Sequence, residues 1–172
     1  MRKNPLLFLY ETVAQHLMKP LIIIEIIEND KGGHEDLVFE IPELISRQNF
    51  DTYYFALAIE PKNGIEEIKN AVAELISSWN KKQTEMENGQ VIYLPIDFSD
   101  QYTGCLKVEK KNDLNLTYGF SRREGWSVDP INPTDYYESI TDFDSENENS
   151  ITVKQTEFEM CLTELIGKLK SD

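Results

Sequence analysis

The sequence predicts an α+β fold: a mainly antiparallel sheet of about five to seven strands packed with three helices. Three observations carry that expectation. Strand-like runs follow one another with only a turn between them, which suits antiparallel pairing. Apolar residues recur at helical spacing in three segments, roughly 5–19, 65–84 and 156–170. And 172 residues, 40% of them hydrophobic and 28% charged, match one soluble globular domain spanning 1–172. A chain of this length buries about 70% of its unfolded surface, enough for a core without staples.

In order along the chain, Leu6, Leu7, Tyr10, Val13, Ala14, Leu17 and Met18 trace one face of a helix over 5–19. Asn4 is its N-cap, Pro5 fits the first turn, and Lys19-Pro20 ends it. Residues 21–28 hold five isoleucines and read as a strand, apolar on both faces and therefore interior. Asn29 to Gly33 is a turn, and Leu37 to Ile41 pairs back as a second strand. Pro42 breaks that ladder, and Glu43 to Ser46 reads as a short helical turn. Residues 52–59 alternate as a strand does, with a short helix capped by Asp51 as the alternative. Pro61 to Gly64 is a turn.

The 65–84 helix carries Ile65, Ile68, Val72, Leu75, Ile76 and Trp79 on one face. Glu66 and Glu67 near its start and Lys81 and Lys82 near its end complement the macrodipole. Residues 91–97 read as a strand, and 102–110 with 113–120 as a hairpin turning at Lys111-Asn112. From 124 to about 150 the chain becomes loop-rich, acidic and aromatic. A short strand at 150–154 precedes the last helix, where Thr156 with Glu159 matches a capping box.

Charge limits the function. There are 31 acidic against 17 basic residues, a net charge of −14. Such a field repels phosphate backbones and anionic lipid surfaces, so nucleic acid and membrane are unsuited as partners. It attracts a basic protein and speeds its arrival. The N-terminus opens Met1-Arg2-Lys3, but Glu11 stops the apolar run that follows, too soon for a signal peptide. Cys105 and Cys161 form no CxxC pair, and two buried free thiols in a reducing compartment are the expectation, with one bridge between them as the alternative. The chain therefore reads as a soluble cytoplasmic protein.

Catalytic and cofactor patterns are absent from the sequence. His16 and His34 have no ligand at a metal-motif spacing. There is no GxSxG elbow, P-loop or dinucleotide fingerprint, so neither a cofactor nor a catalytic residue is expected. Asp97 and Asp100 at a strand end suit turn chemistry first and a divalent cation second. Lys107, Lys110, Lys111, Arg122 and Arg123 gather around one hairpin with Tyr102, Tyr118 and Phe120 between them. That island suits a solvated sheet face or an anionic ligand, and the overall charge opposes the latter.

The most informative asymmetry lies at 124–153, which holds eight acidic residues and no Lys or Arg. Asp135, Tyr136, Tyr137, Glu138, Asp142, Phe143, Asp144 and Glu146 combine aromatic anchors with steering charge, as a surface for a basic partner requires. A second acidic stretch, Glu25 to Glu43, has seven acids and one base. The functional expectation is a non-enzymatic acidic binding protein. Its most concrete form is an immunity or inhibitor protein that covers the cationic site of a nuclease toxin. Alanine at Asp142, Asp144 or Tyr137 is then expected to speed partner dissociation without unfolding. The alternatives are a small cytoplasmic enzyme with a carboxylate or metal site, and an adaptor domain of a larger assembly.

Overall fold

The computed structural model describes residues 20–28, 36–59 and 64–171. The expected helix at 5–19 with His16, the turn at 29–33 and His34 lie outside the described residues. What is described is α+β, with two antiparallel sheets in place of the single sheet expected.

The first sheet has three strands in sequence order: β1 (Ile23–Ile27), β2 (Asp36–Ile41) and β3 (Ile45–Asp51). The isoleucine-rich β1 is an edge strand and not an interior one. Ile24 and Ile26 face the core, whereas on the other face Ile23 is half-buried and Ile27 is exposed, as an edge position permits. Glu25 on this edge pairs with Arg47 of β3 at 2.7 Å. Where a short helical turn is expected over Glu43 to Ser46, a turn leads at Ile45 into β3, in which only Ile45 and Phe50 are buried. Leu37 pairs with Phe50 and Ile24 with Phe39. These residues therefore share one apolar face, because side chains alternate along a strand.

Residues 52–59 also depart from the strand expected there. They form helix α1 (Tyr53–Ala58). The Asp51 carboxylate accepts the Tyr53 amide at 2.6 Å, satisfying a free N–H at the helix start. Phe55 is buried edge-to-face on Phe98, centroids 5.4 Å apart, which fixes the helix on the sheet beneath. This tertiary contact overrides the alternating pattern of the sequence.

Helix α2 (Ile65–Thr84) buries Ile68, Val72, Leu75, Ile76 and Trp79, as its spacing predicts. Helix α3 (Gln155–Ser171) packs on it through Phe158, Leu162, Leu165 and Leu169. It begins at Gln155, one residue before the expected capping box, so Thr156 falls in the first turn. The Gln155 amide instead reaches across and donates to the Gln83 carbonyl at 2.6 Å, capping the end of α2.

The second sheet is a meander of β4 (Val91–Phe98), β5 (Thr103–Lys110) and β6 (Leu114–Ser121). Two short segments, β7 (Asp144–Ser145) and β8 (Ile151–Val153), both pair with β6. Together they cover the edge that β6 would otherwise expose. Tyr118 of β6 meets Phe39 and Phe50 of the first sheet at centroid distances of 6.1 and 6.5 Å. One buried cluster thus runs through both sheets and the helices. Among the described residues, no helix is long and apolar enough to cross a membrane.

Candidate binding groove and its acidic rim

The end of the second sheet is shaped by a break in β4. Pro95 has no amide donor, and the register shifts between Pro95 and Asp97. The bulge re-aims one side chain. Leu94 opposes Leu106, and Asp97 opposes Gly104, so Asp97 falls on the face that carries Leu94 and Tyr118. A carboxyl group is thereby placed among apolar neighbours, only 8% exposed. Burial drives its pKa up to about 6, and Asp51 nearby adds to the rise, against a hydrogen bond donated by Tyr102. Gly104 makes the arrangement possible. A Cβ there would stand 2.7 Å from the Tyr118 hydroxyl and 2.9 Å from the Asp97 Cβ. The Tyr118 hydroxyl is buried without a hydrogen-bond partner among the described residues.

Beside this point runs an open groove of about 760 Å³, lined by Tyr102, Phe120, Ser121, Arg122, Asp142, Phe143 and Asp144. Tyr102 meets Phe120 edge-to-face at 5.2 Å, and Phe120 meets Tyr118 at 5.4 Å. The opposite wall exists because Gly119 has no side chain. A Cβ on it would fall 2.2 Å from the Asp144 carbonyl and 2.7 Å from the Phe143 ring. Phe143 then lies against Tyr93, with the Lys107 ammonium 5.9 Å from its ring centre.

The eight residues singled out in the acidic segment take different places in the fold. Tyr136 and Tyr137 are core residues. The Tyr136 hydroxyl bonds Ser121 Oγ at 2.8 Å, and the Tyr137 hydroxyl donates to Ser78 Oγ at 2.6 Å. The Tyr137 carbonyl accepts the Tyr93 amide at 2.9 Å, so this segment shields the outer edge of β4. Their rings are closed to a partner docking on the folded surface. Asp135 and Glu138 are ion-paired with Arg123 and Lys82. Glu146 accepts from Gln48 of β3 at 3.2 Å, joining the two sheets. Asp142, Phe143 and Asp144 do line the groove, where Asp142 also accepts the Arg122 amide at 3.0 Å.

The basic island is dispersed into structural roles. Arg123 donates to the Ser127 carbonyl at 3.1 Å and to Ser139 Oγ at 3.0 Å, and its guanidinium lies 5.6 Å from the Tyr136 ring centre. It clamps the segment 127–139. Lys110 donates to the Met86 carbonyl at 2.7 Å, and Lys111 pairs with Glu109 at 3.3 Å. Arg122 alone of the five lines the groove.

Nucleophile and metal chemistry find little here. Cys105 and Cys161 are free thiols. Burial pushes the Cys105 thiol up to about 12, the wrong direction for a reactive thiolate. Asp97 and Asp100 take different partners, Tyr102 and Tyr54. No group of three or more His, Cys, Asp or Glu among the described residues is placed to hold a metal ion. The groove offers aromatic walls, the Tyr102 phenol, the carboxylates of Asp142 and Asp144, and the Arg122 side chain.

These features define the class: an α+β protein of two antiparallel sheets with an acid-rimmed aromatic groove at one sheet end. Comparison with protein-family models, curated proteins and solved structures finds no match.

Proposed function

We propose that the chain is a non-enzymatic binding protein that receives a basic protein partner on its acidic side. One observation carries the reading: the groove sets the exposed ring of Tyr102 and the half-buried rings of Phe120 and Phe143 beside the carboxylates of Asp142 and Asp144. Aromatic area supplies hold once desolvated, and charge supplies steering. The net charge of −14 supports the same sign of partner. In its most concrete form the partner is a nuclease toxin in the cytoplasm. The carboxylates then occupy positions where the nucleic-acid phosphates would sit, and inhibition is by occlusion.

The test is capture of partners on the tagged full chain from a lysate of its own cells, followed by a stepped salt wash. A basic protein released at high salt, whose enzymatic activity the purified chain suppresses, is the expected result. Release of only neutral or acidic proteins, at a point indifferent to salt, overturns the reading.

A further inference from the structure

Next to the groove, three chain segments distant in sequence meet at one end of the molecule. They are α1, the turn between β4 and β5, and the short 3-10 helix Gly125–Ser127. The Gly125 amide donates to the Ser99 carbonyl at 2.7 Å, and the Ser99 amide to the Tyr102 carbonyl at 3.0 Å. The Tyr54 hydroxyl donates to Asp100, and the Tyr53 and Tyr54 rings meet edge-on at 5.3 Å. Tyr54 also feels the charge of Glu124. These contacts hold the three segments together at that end.

Two properties of that surface are unusual together. Large hydrophobic side chains stand exposed on it: Trp126 at 65%, Leu57 at 48%, Tyr53 at 40% and Tyr102 at 37%. Tyr53 and Leu57, four residues apart, share a helix face. Among the described residues only Ile27 and Met160 are otherwise comparably exposed. Clustered exposed aromatics mark an interaction site, whereas scattered ones do not. The second property is charge. The stretches 48–59, 91–106 and 124–153, which supply these residues, contain no Lys or Arg at all. Of the two cations that follow β6, Arg123 is held by Asp135, Ser127 and Ser139, and Arg122 lines the adjoining groove.

We propose that the face formed by Tyr53, Leu57, Tyr102 and Trp126, with Asp100 and Glu124 among them, is the contact surface for an arginine-bearing segment of a basic protein. The proposal rests on the binding-protein reading and gives it a location. Charge complementarity selects the occupant. A guanidinium stacks on indole and phenol faces and forks onto carboxylates, and it is more weakly hydrated than an ammonium. A second copy of this chain would bring the same negative charge and be repelled, as would a nucleic acid.

The experiment titrates the isotope-labelled full chain with the peptide acetyl-Gly-Arg-Gly-Arg-Gly-amide and follows backbone amide shifts at low salt. Saturable shifts at Tyr53, Asp100, Tyr102 and Trp126 are expected. Trp126→Ala should weaken binding at least fivefold, while Trp126→Phe stays within about twofold of the parent. Met160→Ala, equally exposed but on α3 and outside both the groove and this face, should also stay within twofold. The Trp126 side chain is exposed, so its variants retain the fold, and unchanged amide spectra away from the patch check this. Shifts confined to residues 142–146, or equal binding by Trp126→Ala, overturn this surface and leave the basic-partner reading standing. No saturable shift anywhere, with this peptide or its lysine counterpart, overturns both.

Discussion

The Tyr102 phenol stands close enough to the buried Asp97 carboxyl to oppose the pKa rise that burial imposes on it, so one residue joins the groove wall to the bulge at the end of β4. Tyr102 is itself more than a third exposed. Any ligand that moves its ring acts on the environment of a carboxyl group held among apolar side chains.

Asp97 makes stability pH-dependent with a sign opposite to that of most carboxylates. Its folded pKa of about 6 lies above the ordinary 3.8. Between these values the folded chain keeps a proton that the unfolded chain has lost, so this group's contribution falls as pH rises through the window. The full penalty above pH 6 is about 3 kcal/mol, at about 1.4 kcal/mol per unit. Asp97→Asn keeps an acceptor for Tyr102 and removes the charge. Urea unfolding from pH 3.5 to 7.5 should show the variant more stable than the parent above pH 6, with the difference vanishing below pH 4. A difference independent of pH would mean that Asp97 titrates normally.

Gly119 decides whether the groove has a second wall. With the Asp144 carbonyl 2.2 Å from the site of a Cβ, alanine cannot enter without lifting β7 from β6. Gly119→Ala should cost about 1–3 kcal/mol, the usual range for overpacking. It should also expose Phe143, read as loss of its ring contact with Tyr93 in nuclear Overhauser spectra. A stable variant with that contact intact would show that β7 pairs more loosely than this geometry requires.

The buried pair Tyr136 and Ser121 fastens the acidic segment to the sheet. Tyr136→Phe removes one partner and leaves Ser121 Oγ, on a residue only 2% exposed, without its 2.8 Å contact. The expected cost is about 1–2 kcal/mol in thermal or denaturant unfolding, since a buried group loses its hydrogen bond. Ser121→Ala added to it should cost less than it does alone, because the two share one interaction. Full additivity would deny the bond. Tyr137→Ala is expected to destabilise by about 3–5 kcal/mol, as loss of a large buried ring does. It therefore reports on folding and not on partner dissociation.

Much of the architecture was legible from local pattern. The β4–β5–β6 meander and the two long helices repeat their apolar residues at the right period, and their burial follows it. The strand β3 was hidden because Ser46 to Asn49 are polar and only its ends enter the core. The helix α1 was hidden because its register depends on Phe98, 43 positions further on. The site was only partly legible for the same reason. Charge and aromatic content identified 124–150 as the segment of interest, but composition does not distinguish Tyr136, which points into the core, from Trp126, which points out. Tyr53, Tyr102 and Trp126 sit on three separate elements, and only the fold brings them to one end.

Trp126 offers a direct reading of the local field. The chain has two tryptophans, and Trp79 is fully buried in α2. A small aqueous quencher therefore reaches only Trp126. If the surrounding carboxylates outweigh Arg122, caesium accumulates near the indole and iodide is repelled from it. At low ionic strength the quenching slope with caesium, corrected for its intrinsic efficiency on free tryptophan amide, should exceed that with iodide severalfold. At about 1 M added salt the screening length falls to about 3 Å, and the two corrected slopes should converge. Trp126→Phe should abolish quenching by both ions, leaving the emission of Trp79. Equal corrected slopes at low salt would mean a neutral surface at Trp126, and the steering of a basic partner would then have to come from elsewhere on the molecule.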